Sequence, residues 1–255
     1  MRPARTGEGP AGTLKGAFTP RIRASRELIV ALDVNHLQPA LVLARKLSGV
    51  AGMFKVGSQL FTSEGPKAVE KLSGLGFDIF LDLKFHDIPN TVSHAVAAAS
   101  RLKSVRLVTI HASGGVEMMR AAREAAGSKK TRPKLLGVTI LTSLNGEALE
   151  RIGLAGPPSA RVVALARLAQ ESGMDGVVAS AHEIRAIRGA CGPEFLIVVP
   201  GIRPANAAGD DQSRVATPAD AIRAGADYLV VGRPITAAPD PRAAAMHIAA
   251  EIAAA

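Results

Sequence analysis

From residue 26 onward the chain alternates between two kinds of hydrophobic patterning. Short apolar runs, rich in β-branched residues, occur at 28–32, 53–56, 77–81, 107–110, 135–140, 176–179, 195–199 and 228–231. Between them lie segments with apolar residues at helical spacing: 38–47, 65–72, 91–102, 116–125, 160–171, 181–188, 218–224 and 242–254. Strands alternating with helices of this length predict βαβ units and a parallel sheet. Runs that are apolar on both faces predict a sheet covered on both sides. Eight such units predict an α/β fold closed into a (β/α)8 TIM barrel, a single domain over 26–255. No Gly-x-Gly-x-x-Gly follows the first run, which argues against a dinucleotide-binding sheet.

Polar residues recur where the predicted strands end: Asp33, Lys55, Asp82 with Lys84, His111, Thr142 with Ser143, Ser180, Arg203 and Arg233. In a barrel these ends converge on one mouth, where active sites lie. The densest group is Asp82-Leu83-Lys84-Phe85-His86-Asp87-Ile88-Pro89. Alternation along a strand puts Asp82 and Lys84 on one face, with Asp87 just beyond, in a proline-marked turn. Two carboxylates bracketing an ammonium make a candidate acid–base site. The same charges would serve equally as a structural ion-pair cluster.

A second candidate lies at the eighth run, Tyr228-Leu229-Val230-Val231-Gly232-Arg233-Pro234. Loops after strands 7 and 8 of barrels commonly hold phosphate; Gly232 allows a close backbone approach and Arg233 a charge-assisted contact. The segment 201–217 carries Arg203, Asp210, Asp211, Gln212 and Arg214, and its length and polarity suit a lid over a bound anion. His86, His94 and His111 lack a metal-ligand spacing on one face, and no Walker loop is present, so neither a metal nor a nucleoside triphosphate is demanded.

Composition narrows the classes further. The 255 residues are 47% hydrophobic and 21% charged, and no apolar run approaches the ~20 residues of a membrane span. One cysteine, Cys191, precludes an internal disulfide and suits a reducing, cytoplasmic compartment. The net charge of +9 invites a nucleic-acid reading. Residues 1–25, however, supply nearly half of it through Arg2, Arg5, Lys15, Arg21 and Arg23 against Glu8. Aromatics are only 3% with no tryptophan, too few for base-stacking platforms. The basic stretch 1–25 reads as a poorly ordered extension; it has no secretory h-region, and a transit peptide is the rival reading.

The stretch Leu81-Asp82-Leu83-Lys84-Phe85-His86-Asp87-Ile88-Pro89-Asn90-Thr91 resembles the signature of the orotidine 5′-phosphate decarboxylase family. Ala31-Leu32-Asp33, Phe54-Lys55-Val56-Gly57, Leu141-Thr142-Ser143, Pro200-Gly201-Ile202-Arg203-Pro204 and Val231-Gly232-Arg233-Pro234 follow the family's order, and the likeness spans about 27–245. Gly209-Asp210-Asp211-Gln212 carries one residue more than the family's Gly-Asp-Gln. The resemblance implies cofactor-independent decarboxylation of orotidine 5′-monophosphate to UMP, the last step of de novo pyrimidine synthesis. It implies that Lys84 protonates C6, that Asp82 lies against the substrate carboxylate, and that Lys55, Asp82, Lys84 and Asp87 alternate as one charged row. Asp33, Thr91, Thr142 and Ser143 would contact ribose and pyrimidine, and Arg203, Gln212, Gly232 and Arg233 the phosphate. It further implies a homodimer in which Asp87 enters the neighbouring subunit's site. The alternative within the same suprafamily is a metal-dependent sugar-phosphate decarboxylase or aldolase, which lacks the His-Asp-Ile-Pro-Asn-Thr continuation.

Overall fold

The computed structural model describes residues 25–128, 130–154, 156–204 and 216–255. The chain runs β1 (Ser25–Ala31), α1 (Leu37–Lys46), β2 (Ala51–Gly57), α2 (Ser58–Glu64), α3 (Pro66–Gly74), β3 (Ile79–Phe85) and α4 (Pro89–Ala99). It continues through β4 (Val105–His111), α5 (Gly115–Ala125), β5 (Lys134–Val138), α6 (Gly146–Arg151), α7 (Pro158–Glu171), β6 (Gly176–Val178) and α8 (Ile184–Cys191). It closes with β7 (Leu196–Pro200), α9 (Pro218–Arg223), β8 (Tyr228–Val231), α10 (Arg233–Thr236) and α11 (Pro241–Ala253). Each strand pairs in parallel with the next, and β8 pairs with β1, so the sheet is a closed barrel in sequence order. The barrel predicted from the apolar rhythm is the fold. The extension 1–25 lies outside the described residues except for Ser25, which opens β1.

Alternation along the strands builds two cores. Leu28, Val30 and Leu32 of the first strand region point outward into a large cluster shared with the helices. Ile29 and Ala31 point inward and join Met53, Phe80, Leu107, Leu136, Val198 and Val230 to fill the barrel's interior. Burying each of the larger side chains contributes about 1.5–3 kcal/mol. The inward parity then carries polar residues onto the layer above this apolar plug. One pleat past Met53 lies Lys55, past Phe80 lies Asp82, and past Leu107 lies Thr109.

The opposite rim, where the strands begin, is held by a repeated device. Gly76-Phe77-Asp78, Gly173-Met174-Asp175 and Gly225-Ala226-Asp227 precede β3, β6 and β8, and the three glycines have φ of 87°, 82° and 107°. Each glycine turns the chain in the left-handed region open to it, and the aspartate that follows meets an arginine. Asp175 accepts both guanidinium nitrogens of Arg132 (2.6 and 2.8 Å) and the Leu135 amide (2.8 Å). Asp227 accepts Arg188 (2.8 Å) and the Ile197 amide (2.7 Å), while Arg188 also donates to the carbonyls of Gly192, Pro193, Phe195 and Gly225. Asp78 accepts Arg106 Nε at 2.8 Å.

Candidate active site

At the carboxyl rim the strand ends enclose a cleft of about 370 Å³. Its floor and walls are apolar, with Phe80, Val138, Ile140, Val178, Ile202 and Val230, and polar side chains enter from two sides. Asp33, Lys55, Asp82 and Lys84 come from the first three strand ends; Thr142, Arg203, Gly232 and Arg233 come from the later ones. The cleft therefore gathers eight of the residues singled out in the sequence.

The charged row is tightly connected. Asp82 is buried at the end of the plug, and its Oδ2 accepts Lys84 Nζ at 2.8 Å and faces Lys55 Nζ at 3.5 Å. Lys55 Nζ also donates to Asp33 Oδ1 at 3.0 Å. The order along the row is Asp33, Lys55, Asp82, Lys84. Burying a carboxylate is costly unless it is paired and hydrogen-bonded, as Asp82 is here. The row continues on the Asp33 side rather than through Asp87 of the same chain. Asp87 is exposed and outside the cleft lining, and its Oδ1 accepts the Ile88 amide at 2.6 Å.

The backbone at Lys84 is unusual. Its φ is 52°, in the left-handed region that costs a side-chain-bearing residue about 1–2 kcal/mol. The β3–β4 register explains how this arises: Leu81 faces Val108, but Phe85 faces Ile110, so β3 carries extra residues between. Such a bulge re-aims side chains and breaks the ladder. The Lys84 amide donates instead to Thr109 Oγ1 at 2.9 Å, and that hydroxyl donates to Asp82 Oδ1 at 2.9 Å. Thr109 went unnoticed in the sequence because a threonine in an apolar run reads as a strand former; its inward parity with Leu107 was the available signal.

Of the remaining candidates, Thr91 in α4 and Ser143 in the turn after β5 are exposed and do not line the cleft. Gln212, Asp210, Asp211 and Arg214 lie outside the described residues, with all of 205–215. Gly232 caps α10, and a Cβ there would make only ordinary contacts, 3.7 Å from Ala31 Cβ and 3.9 Å from Asp33 Oδ2. His111 packs against His86 with ring centroids 5.2 Å apart. Burial pushes the His111 imidazole below its ordinary pKa, and the neighbouring His86 and Lys84 charges push the same way against Asp82.

A cleft with apolar walls, lined by a Lys–Asp–Lys group and by two arginines, suits an anionic molecule with an apolar body. The ammonium of Lys84 can stabilise an anion forming in the cleft and can deliver a proton to it.

Comparison with known proteins follows the same line. A model of the Orotidine 5'-phosphate decarboxylase / HUMPS family matches residues 26–248. A protein of Trichlorobacter lovleyi named orotidine 5'-phosphate decarboxylase is 56% identical over 235 residues, covering 91% of this chain and 97% of its own. One of the same name from Nitrosococcus oceani is 53% identical over 225 residues, covering 88% and 97%. The crystal structure of orotidine 5'-phosphate decarboxylase from Lactobacillus acidophilus superimposes with a TM-score of 0.78 at 39% identity, covering 89% of this chain and 99% of that one.

Proposed function

The chain belongs to the orotidine 5'-phosphate decarboxylase / HUMPS family, and from that membership we infer that it is a carboxy-lyase converting orotidine 5′-monophosphate to UMP in pyrimidine biosynthesis. The observation that carries this reading is the Lys84–Asp82 contact of 2.8 Å at the charged end of the cleft, with Gly232, Arg203 and Arg233 in its lining. No cofactor enters the proposed reaction.

In the proposed mechanism the substrate carboxylate lies against Asp82. Two like charges ~4 Å apart repel by about 4 kcal/mol at an effective dielectric near 20. The repulsion disappears as neutral CO2 leaves, so it lowers the barrier differentially. The C6–carboxylate bond breaks and its electron pair stays on C6, in an orbital that the ring cannot delocalise. Lys84 stabilises that carbanion in advance of its formation, which is the larger contribution, and then transfers its proton to C6. Solvent restores the proton, so one proton is consumed and one CO2 released per turnover. Lys55 holds Asp82 and Asp33 in register, and Asp33, with Thr142, Ser143 and Thr91, takes the ribose and pyrimidine edges. Gly232, Arg233, Arg203 and Gln212 take the phosphate, whose binding energy acts far from the reacting carbon.

The active assembly in this reading is a homodimer in which Asp87 completes the partner's charged row. Its exposure in the single chain, outside the cleft and beside an Ile88 that is 65% exposed, supports that reading. The metal-dependent sugar-phosphate alternative would use acidic residues as ligands. Here Lys55 Nζ sits between Asp33 and Asp82, which favours the metal-free reaction.

The test is a spectrophotometric assay with orotidine 5′-monophosphate, with and without EDTA, alongside Lys84→Ala. EDTA-insensitive formation of UMP that K84A abolishes is the expected outcome. Folded protein that does not turn over this substrate, or that needs a divalent ion, would return the assignment to the sugar-phosphate enzymes.

A further inference from the structure

Thr109 is fully buried, on β4, one pleat above Leu107 of the apolar plug. Its hydroxyl has a single proton, and that proton goes to Asp82 Oδ1 at 2.9 Å. Thr109 Oγ1 in turn accepts the Lys84 amide at 2.9 Å. Both directions matter. Asp82 Oδ2 is held by the two lysines, so the bond to Oδ1 fixes the remaining freedom of the carboxylate, its rotation about the Cβ–Cγ axis. The bulge in β3 takes the Lys84 amide off the strand ladder, and the Thr109 oxygen gives that amide its partner at a left-handed φ of 52°.

We propose that Thr109 is a positioning residue for the decarboxylation, a single hydroxyl that sets the Asp82 carboxylate and the Lys84 backbone relative to each other. The inference rests on the assignment of Asp82 and Lys84 as the reacting pair. A valine would fill the same space with no hydroxyl, leaving a buried carboxylate oxygen and a part-buried amide without this partner. Both groups stay in the cleft, but neither is held in the geometry in which the row works, and small misplacements of reacting groups are expensive.

The experiment compares Thr109→Val and Thr109→Ser with the native enzyme in steady-state turnover of orotidine 5′-monophosphate, with Lys84→Ala as reference. T109V should lower kcat about 10–100-fold with KM within about threefold, since the phosphate and ribose contacts are untouched. T109S, which keeps the hydroxyl, should recover kcat to within about threefold of native. Should T109V not fold, Thr109→Ala is read in its place, with T109S again as the rescue. Native kcat in folded T109V, a loss confined to KM, or a T109S defect as deep as that of T109V would overturn the proposal, the last by showing that keeping the hydroxyl does not preserve turnover. If K84A itself turns over normally, it is the reacting pair that is wrongly assigned; if K84A is inactive and T109V is not, only the role of Thr109 fails.

Discussion

Gly57 shows how little room the charged row leaves. A Cβ there would stand 2.8 Å from Lys55 Nζ and 3.4 Å from Asp33 Oδ1, and Gly57 pairs in register with Asp82. Its own φ of −96° is open to any residue, and the crowded atom is the tip of a flexible side chain. Gly57→Ala should therefore change stability by under about 1 kcal/mol while lowering kcat/KM at least about tenfold, as Lys55 is pushed off Asp33. A thermal melt beside steady-state kinetics reads both; a large melting shift with native kinetics would show that Gly57 serves packing instead. At this scale the pairing of Asp82 with Lys84 was legible from strand alternation. The positive φ that brings Lys84 there was not, because a bulge depends on the register of a neighbouring strand. Thr109 was hidden for the same reason: its meaning comes from what lies across the ladder.

All eight strands were legible as elements, since short β-branched apolar runs alternating with helical segments are a strong signal. β3 extends to Phe85, beyond the predicted end at 81, because Asp82 and Lys84 face a cleft rather than a core and their polarity concealed a strand. The helices α2, α6 and α10, each of two turns or fewer, were missed. The Gly-x-Asp clasps were equally unread, although the three-residue pattern recurs ahead of β3, β6 and β8. They carry a pH dependence. Burial raises the Asp175 pKa, but hydrogen bonds from Arg132, the Leu135 amide and Lys134 outweigh it and hold the carboxyl below its ordinary value. A carboxyl depressed in the folded state contributes stability above its unfolded pKa and loses it as pH falls through the folded one. Asp175→Asn should thus cost about 3–5 kcal/mol at pH 7, by stranding Arg132, and the gap to native should narrow through the acid range below about pH 4. Denaturant unfolding from pH 7 downward checks it; a gap constant with pH would mean that the carboxylate charge is not what the clasp uses.

For the whole molecule, closure of the barrel was implied by the count of units, whereas the proposed subunit arrangement rests on the family likeness alone. Lys84 lines the cleft of its own chain and Asp87 does not, so the proposed dimer makes a sharp forecast. Lys84→Ala and Asp87→Ala enzymes, each nearly inactive, should regain about a quarter of native activity when mixed and allowed to exchange subunits. Half of the dimers would then be mixed, each with one intact site of two. Heterodimers that form without restoring turnover would confine Asp87 to its own subunit. The two rims of the barrel also have separate tasks. The clasps of Asp175 and Asp227 sit where strands start and the charged row where they end, roughly 20 Å apart for strands of this length. Effects that far apart add rather than interact. Adaptation to heat can therefore proceed at the clasp rim, by strengthening or duplicating a Gly-x-Asp–arginine unit, while the chemistry at the other rim is left alone.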